Sequence, residues 1–155
     1  MWCEAEEFTS SEKTILNIVR EQGVVSRTVI HKMTGIRLST ITDIAKSLIS
    51  KGVLCEASEI ADDKKEHVSK KALILNKDYA CLIGVDVQIS HVSVVLTDFC
   101  GNILANYAQP LSDRAEQHDI RDALYRVIDY AIERAGDKRI LGIGVRGLCL
   151  SLYCL

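Results

Sequence analysis

The chain has 155 residues, 48% of them apolar and 26% charged, a composition that suits packed cores and allows one ordinary domain or two small ones. Its formal net charge of −2 argues against indiscriminate nucleic-acid binding, which calls for a strongly basic balance. No stretch approaches the ~20 apolar residues of a membrane span, and no basic segment leads an apolar run at the start, so the expectation is a cytoplasmic protein with no membrane partner.

Thr9-Ser10-Ser11-Glu12 has the form of a capping box, which predicts a helix that buries Ile15, Leu16, Ile18 and Val19 and ends near Gly23. Ser26 is a second helix cap. The short helix after it is expected to bury Val29, Ile30 and Met33 and to end at Gly35, a residue suited to a left-handed stop. After a turn over Ile36 to Leu38, Ser39 is expected to cap a third helix, closed by Gly52. On it Ile41, Ile44, Ala45, Leu48 and Ile49 make one buried stripe, and Thr40, Thr42, Asp43, Lys46 and Ser47 take the opposite face.

From Lys13 to Leu54 the basic residues Lys13, Arg20, Arg27, Lys32, Arg37, Lys46 and Lys51 face only Glu21 and Asp43. A tight helical corner with a polar, locally basic second helix is how a helix-turn-helix enters the major groove of double-stranded DNA. Arg37 and Lys46 are then the candidates for charged contacts. Ser39, Thr40 and Thr42 would meet phosphate or base edges from the first turn, and Ser26 and Arg27 would anchor the phosphate backbone.

Val53 to Glu56 and Ala72 to Leu75 read as two short strands around a polar loop, the wing of a winged helix, whose Asp62 to Glu66 run is solvated charge. Lys70 and Lys71 at the base of the second strand are candidate phosphate contacts. From Asn76 the pattern changes. Strands are predicted over Cys81–Val87, over His91–Thr97 with Val92, Val94 and Leu96 on one face, and over Gly101–Gln109, with a turn at Asp98 to Gly101 and a stop at Pro110. A long amphipathic helix over Asp119–Ala135 carries Ile120, Leu124, Val127, Ile128, Ala131, Ile132 and Ala135, and a buried strand follows over Ile140–Val145. This order, β-β-β-α-β, predicts a sheet with one covering helix, an incomplete domain ending in the apolar run Arg146 to Leu155.

The six cysteines (Cys3, Cys55, Cys81, Cys100, Cys149, Cys154) form no C-x-x-C pair and read as buried or incidental thiols. His31, His67, His91 and His118 show no metal-ligand spacing, so solvated or capping roles are expected, with no metal and no cofactor.

With these pieces placed, the chain resembles the ROK family of repressors and sugar kinases, specifically its repressor branch. Ile83-Gly84-Val85-Asp86-Val87 followed by Val94 to Leu104 looks like the opening of the family's actin-like domain, and Ile143-Gly144-Val145 like the strand after its first helix. The resemblance implies an α+β chain: a winged helix-turn-helix over residues 1–76, then the incomplete first lobe of an actin-like (ribonuclease H-like) α/β domain over residues 77–155. It implies a transcriptional repressor of carbohydrate-metabolism genes and not an enzyme. Kinase members carry D-x-G-G-T-K, whose glycines let the backbone approach ATP phosphate. Here Asp86 is followed by Val87, Gln88, Ile89, Ser90 and His91, which speaks against a phosphate cradle. The alternatives are a sugar-kinase fragment and a truncated regulator that serves only for interaction or dimerisation. A homodimer stays open, and no sugar effector response is expected because the cleft's second lobe lies in later family sequence.

Overall fold

A computed structural model describes residues 7–57 and 72–147; the expectations for the 57–71 loop from residue 58 on, including Lys70 and Lys71, and for the closing apolar run beyond Gly147 lie outside the described residues. Residues 7–57 and 72–79 make one compact unit and residues 80–147 another.

The first unit begins as its capping box dictates. Helix α1 (Ser10–Gln22) is capped by Thr9, whose hydroxyl accepts from the Glu12 N–H at 3.2 Å while the Glu12 carboxylate takes the Thr9 N–H at 2.8 Å. Gly23, at φ 74°, stops it. Helices α2 (Arg27–Thr34) and α3 (Leu38–Ser50) follow, with Ser26 capping α2 and Gly35 ending it in the left-handed region at φ 71°. Strands β1 (Leu54–Glu56) and β2 (Leu73–Leu75) pair antiparallel, and Val25 adds a bridge to Leu73 on the other side of β2. Ile15, Val19, Ile30, Ile41, Ala45, Leu48, Val53 and Leu73 are fully buried between the helices and this small sheet.

The first unit departs from the sequence pattern at three places. Val29 and Met33 are exposed, at 40% and 51%, and Ile30 alone is buried on α2. At about 100° per residue, Val29 and Met33 stand about 100° and 60° round the helix from Ile30, too far for a two-turn helix that meets the core along one line. Ser39 is not a cap. Arg37 holds the extended capping conformation (φ −60°, ψ 141°) without a side-chain cap bond, and Ser39 lies inside the first turn, because the chain has already turned at Gly35. On α1, Leu16 is half-buried rather than part of the core.

The second unit is a four-stranded sheet in the order β5-β4-β3-β6. Strands β3 (Cys81–Val87), β4 (His91–Asp98) and β5 (Ile103–Pro110) form an antiparallel meander, and β6 (Ile140–Gly147) joins parallel to β3 after the crossover helix α4 (Gln117–Ala135). The β4 alternation is as read: Val92, Val94 and Leu96 are buried. They pack with Ile83, Val85, Ala123, Val127 and Ala131 under α4. The turn into β5 is organised by Asp98, whose carboxylate accepts from the Cys100 and Asn102 N–H groups at 2.9 Å each and from the Asn102 amide at 2.8 Å, with Gly101 at φ 90°. Burial alone would raise the Asp98 carboxyl, but these bonds outweigh it and hold it below the usual aspartate range.

The last strand departs from expectation. β6 is not buried: Leu141 is 41% and Val145 58% exposed. It sits at the sheet edge, where α4 covers only part of its inner face. Ile132 on α4 is likewise 43% exposed.

Candidate nucleic-acid interface

Helix α3 has one buried and one exposed side, with Ser47 half-buried and Leu38 45% exposed at the first turn. Ile41, Ala45 and Leu48 are buried, Ile44 and Ile49 half-buried. Ser39, Thr40, Asp43, Lys46 and Ser50 are exposed and share one side of about 120° at helical spacing. Arg37 lies just ahead, also exposed. Neither Arg37 nor Lys46 makes a hydrogen bond or ion pair among the described residues. Thr42 stands apart from this group. It is half-buried at the flank, and its hydroxyl donates back to the Leu38 carbonyl at 2.8 Å. Of the residues singled out on α3, the fold therefore brings Arg37, Ser39, Thr40 and Lys46 to one surface and turns Thr42 aside.

At the start of α2, Ser26 Oγ accepts from the Val29 N–H at 3.3 Å, the capping role its sequence position suggests. Arg27 is engaged inside the unit: Nη2 lies 2.7 Å from Glu56 Oε1, with the Arg27 side chain only 16% exposed. That pair joins α2 to β1. A second pair joins α1 to the end of α3, where Lys51 Nζ lies 3.1 Å from Glu12 Oε1 and 5.2 Å from the centre of the Phe8 ring. The backbone N–H of Thr9 and then the Lys51 ammonium hold the Glu12 carboxyl below the usual glutamate range, although its side chain is nearly buried.

Asp43 belongs to the polar face expected of α3 but is given no contact there. It occupies the middle of the exposed α3 face, where a carboxylate repels phosphate yet can accept from the cytosine amino group. Its place, three residues past Thr40 and three before Lys46, was the available signal.

In the second unit, the sheet face turned away from α4 is open and forms a shallow groove bordered by Gly84, Asp86, Ser93, Val95, Asn106 and Arg146. Asp86 accepts from Gln88 Nε2 at 2.7 Å, so the side chain in the first family glycine position lies against the aspartate itself. Among the described residues no cluster of His, Cys, Asp and Glu is placed to hold a metal ion, and no helix is long and apolar enough to cross a membrane.

No protein-family model matches the chain. It is 27% identical over 133 residues to a putative xylose repressor of Caldicellulosiruptor sp. (strain Rt8B.4), covering 84% of this chain and 33% of that protein. It is 23% identical over 135 residues to the xylose repressor of Caldicellulosiruptor bescii, with the same coverage, and 24% identical over 137 residues to that of Bacillus spizizenii, covering 87% of this chain and 35% of the relative. The chain thus spans about a third of the length of these relatives. Its fold matches a crystal structure of a ROK family transcriptional regulator described as a homolog of E. coli MLC protein, with a TM-score of 0.62 at 16% identity, covering 88% of this chain and 35% of that one. In sequence and in fold, most of this chain is similar to ROK-family transcriptional regulators, the repressor branch that its motifs resemble.

Proposed function

We propose that the first unit is a winged helix-turn-helix that reads double-stranded DNA with α3 in the major groove, as part of a transcriptional repressor of carbohydrate-metabolism genes. The observation that carries this reading is the corner itself. Helices α2 and α3 are joined by only residues 35–37, Gly35 supplies the left-handed stop, and the outward face of α3 presents Ser39, Thr40 and Lys46 beside Arg37. Short hydroxyls at the first turn approach base edges closely, while the two cations meet phosphate. Ser26, the cap of α2, would meet a phosphate at the positive end of that helix. Arg27 contributes through its pair with Glu56, and Lys70 and Lys71 are proposed as further phosphate contacts.

On this reading residues 1–76 are the DNA-binding domain and residues 77–155 belong to the first lobe of an actin-like domain. The protein is a cytoplasmic regulator and not an enzyme, since Gln88 and Ile89 stand where a phosphate cradle needs glycine. Relatives named xylose repressors support the carbohydrate context. Two copies acting together would present two reading helices to paired half-sites.

The test is selection from a randomised duplex pool with the full chain, followed by fluorescence anisotropy of the enriched duplex against a scrambled one across a salt series. Enrichment of one motif, bound in preference at physiological salt, is the expected result. A pool that enriches nothing, or equal binding of both duplexes with a steep loss in salt, would refute it.

A further inference from the structure

Ile36 lies between α2 and α3, and both of its backbone polar groups are satisfied by side chains of α2. Its N–H donates to Thr34 Oγ1 at 3.2 Å, and its carbonyl oxygen lies 2.7 Å from His31 Nδ1. A carbonyl only accepts, so the imidazole carries its proton on Nδ1. Thr34 gives its own hydroxyl proton to the Ile30 carbonyl at 2.8 Å, which leaves an oxygen lone pair for Ile36. Neither side-chain bond is needed to end α2, because the Gly35 N–H already closes it on the His31 carbonyl at 2.8 Å. The residue after Ile36 is Arg37, whose carbonyl receives the first α3 bond from the Ile41 N–H at 3.0 Å.

We propose that His31 and Thr34 form a clamp on Ile36 that preorganises the corner, making His31 a positioning residue for DNA affinity rather than a contact. The inference rests on the DNA-reading function above. A turn free to sample other conformations must be ordered when α3 enters the groove, and that ordering subtracts from affinity. One net hydrogen bond corresponds to roughly a fivefold change.

The test uses the full chain and the duplex enriched by the unaltered protein, with His31→Ala and His31→Asn as variants. The Asn side-chain amide places a donor near the position of Nδ1. His31→Ala should weaken binding roughly fivefold with the salt slope and far-UV circular dichroism unchanged, and His31→Asn should recover most of the loss. In the free protein the ¹⁵N spectrum of the His31 ring should show the proton on Nδ1. Unchanged affinity in His31→Ala overturns the clamp. A salt slope shallower by about one unit also overturns it, since that marks a direct phosphate contact. If His31→Ala fails to fold, Thr34→Val and Thr34→Ser take its place, Val being expected to weaken binding and Ser to restore it; equal affinities would sink the proposal. An unaltered chain that enriches no duplex overturns the DNA reading first, and is recognised before any variant is made.

Discussion

Arg37 offers a substitution in which stability and DNA affinity should move in opposite directions. It occupies the N-cap of α3 in extended conformation, supplies no cap bond, and places a positive charge at the positive end of the helix. Arg37→Ser gives the helix an oxygen acceptor for a first-turn N–H and removes the unfavourable charge. The gain is about 1 kcal/mol, which for a unit of this size raises the melting temperature by roughly 4–8 °C. The same change deletes an exposed cation beside the proposed reading face. One phosphate contact fewer lowers the salt slope by about 0.9, so the affinity lost on going from 50 to 200 mM salt shrinks by a factor of about 3.5. Differential scanning calorimetry and anisotropy over that salt range read the two effects separately. A variant that melts higher but binds with unaltered slope would remove Arg37 from the interface. One that melts lower would show that Arg37 does not stand at the cap.

Leu48 is fully buried on α3, and Leu48→Ala should cost about 2–5 kcal/mol by urea denaturation. Gly35 ends α2 at φ 71°; Gly35→Ala should cost about 1 kcal/mol and weaken DNA binding, because the corner must relax to relieve the strain. Glu12 has its folded pKa depressed below 4.5, so its contribution is present above that value and disappears as pH falls through the folded pKa. Glu12→Gln should therefore lower stability at pH 7 and flatten the acid limb below pH 4.5, and an unflattened limb would contradict the hold of the Thr9 N–H and the Lys51 ammonium on this carboxylate. Asp43→Asn should raise affinity for scrambled duplex at low salt by removing a carboxylate that faces phosphate.

Features set by neighbours in sequence were legible before the fold was seen. The Thr9–Glu12 capping box, the Ser26 cap and the Gly35 stop each depend on residues within a few positions, and each is found where the pattern puts it. Periodicity located the stripe on α3 and the alternation on β4 because several buried positions on each agree. It misjudged Val29 and Met33, since a two-turn helix offers too few apolar residues to say which of them faces the core. It misjudged β6 because an apolar run reads the same at a sheet's centre and at its edge. The Arg27–Glu56 pair joins residues 29 apart, and the Lys51–Glu12 pair residues 39 apart, separations at which no local pattern exists.

Those two pairs bear directly on the proposed DNA binding. Of the seven basic residues between Lys13 and Leu54, Arg27 and Lys51 are held by carboxylates, which leaves Lys13, Arg20, Lys32, Arg37 and Lys46 exposed. Were all five to neutralise phosphates together with Lys70 and Lys71, one copy would give a salt slope of about −6. A single helix reaches only a few base pairs, so the net charge of −2 and this limit on phosphate contacts leave one copy with little affinity in hand at physiological salt. A measured slope clearly steeper than −6 on the enriched duplex therefore requires cations beyond these seven, whether Lys64, Lys65 and Lys77 of the same copy or those of a second copy, and an enriched motif with two inverted halves would assign them to a second copy. A shallow slope with a single asymmetric motif would instead assign the reading to one α3 at a time.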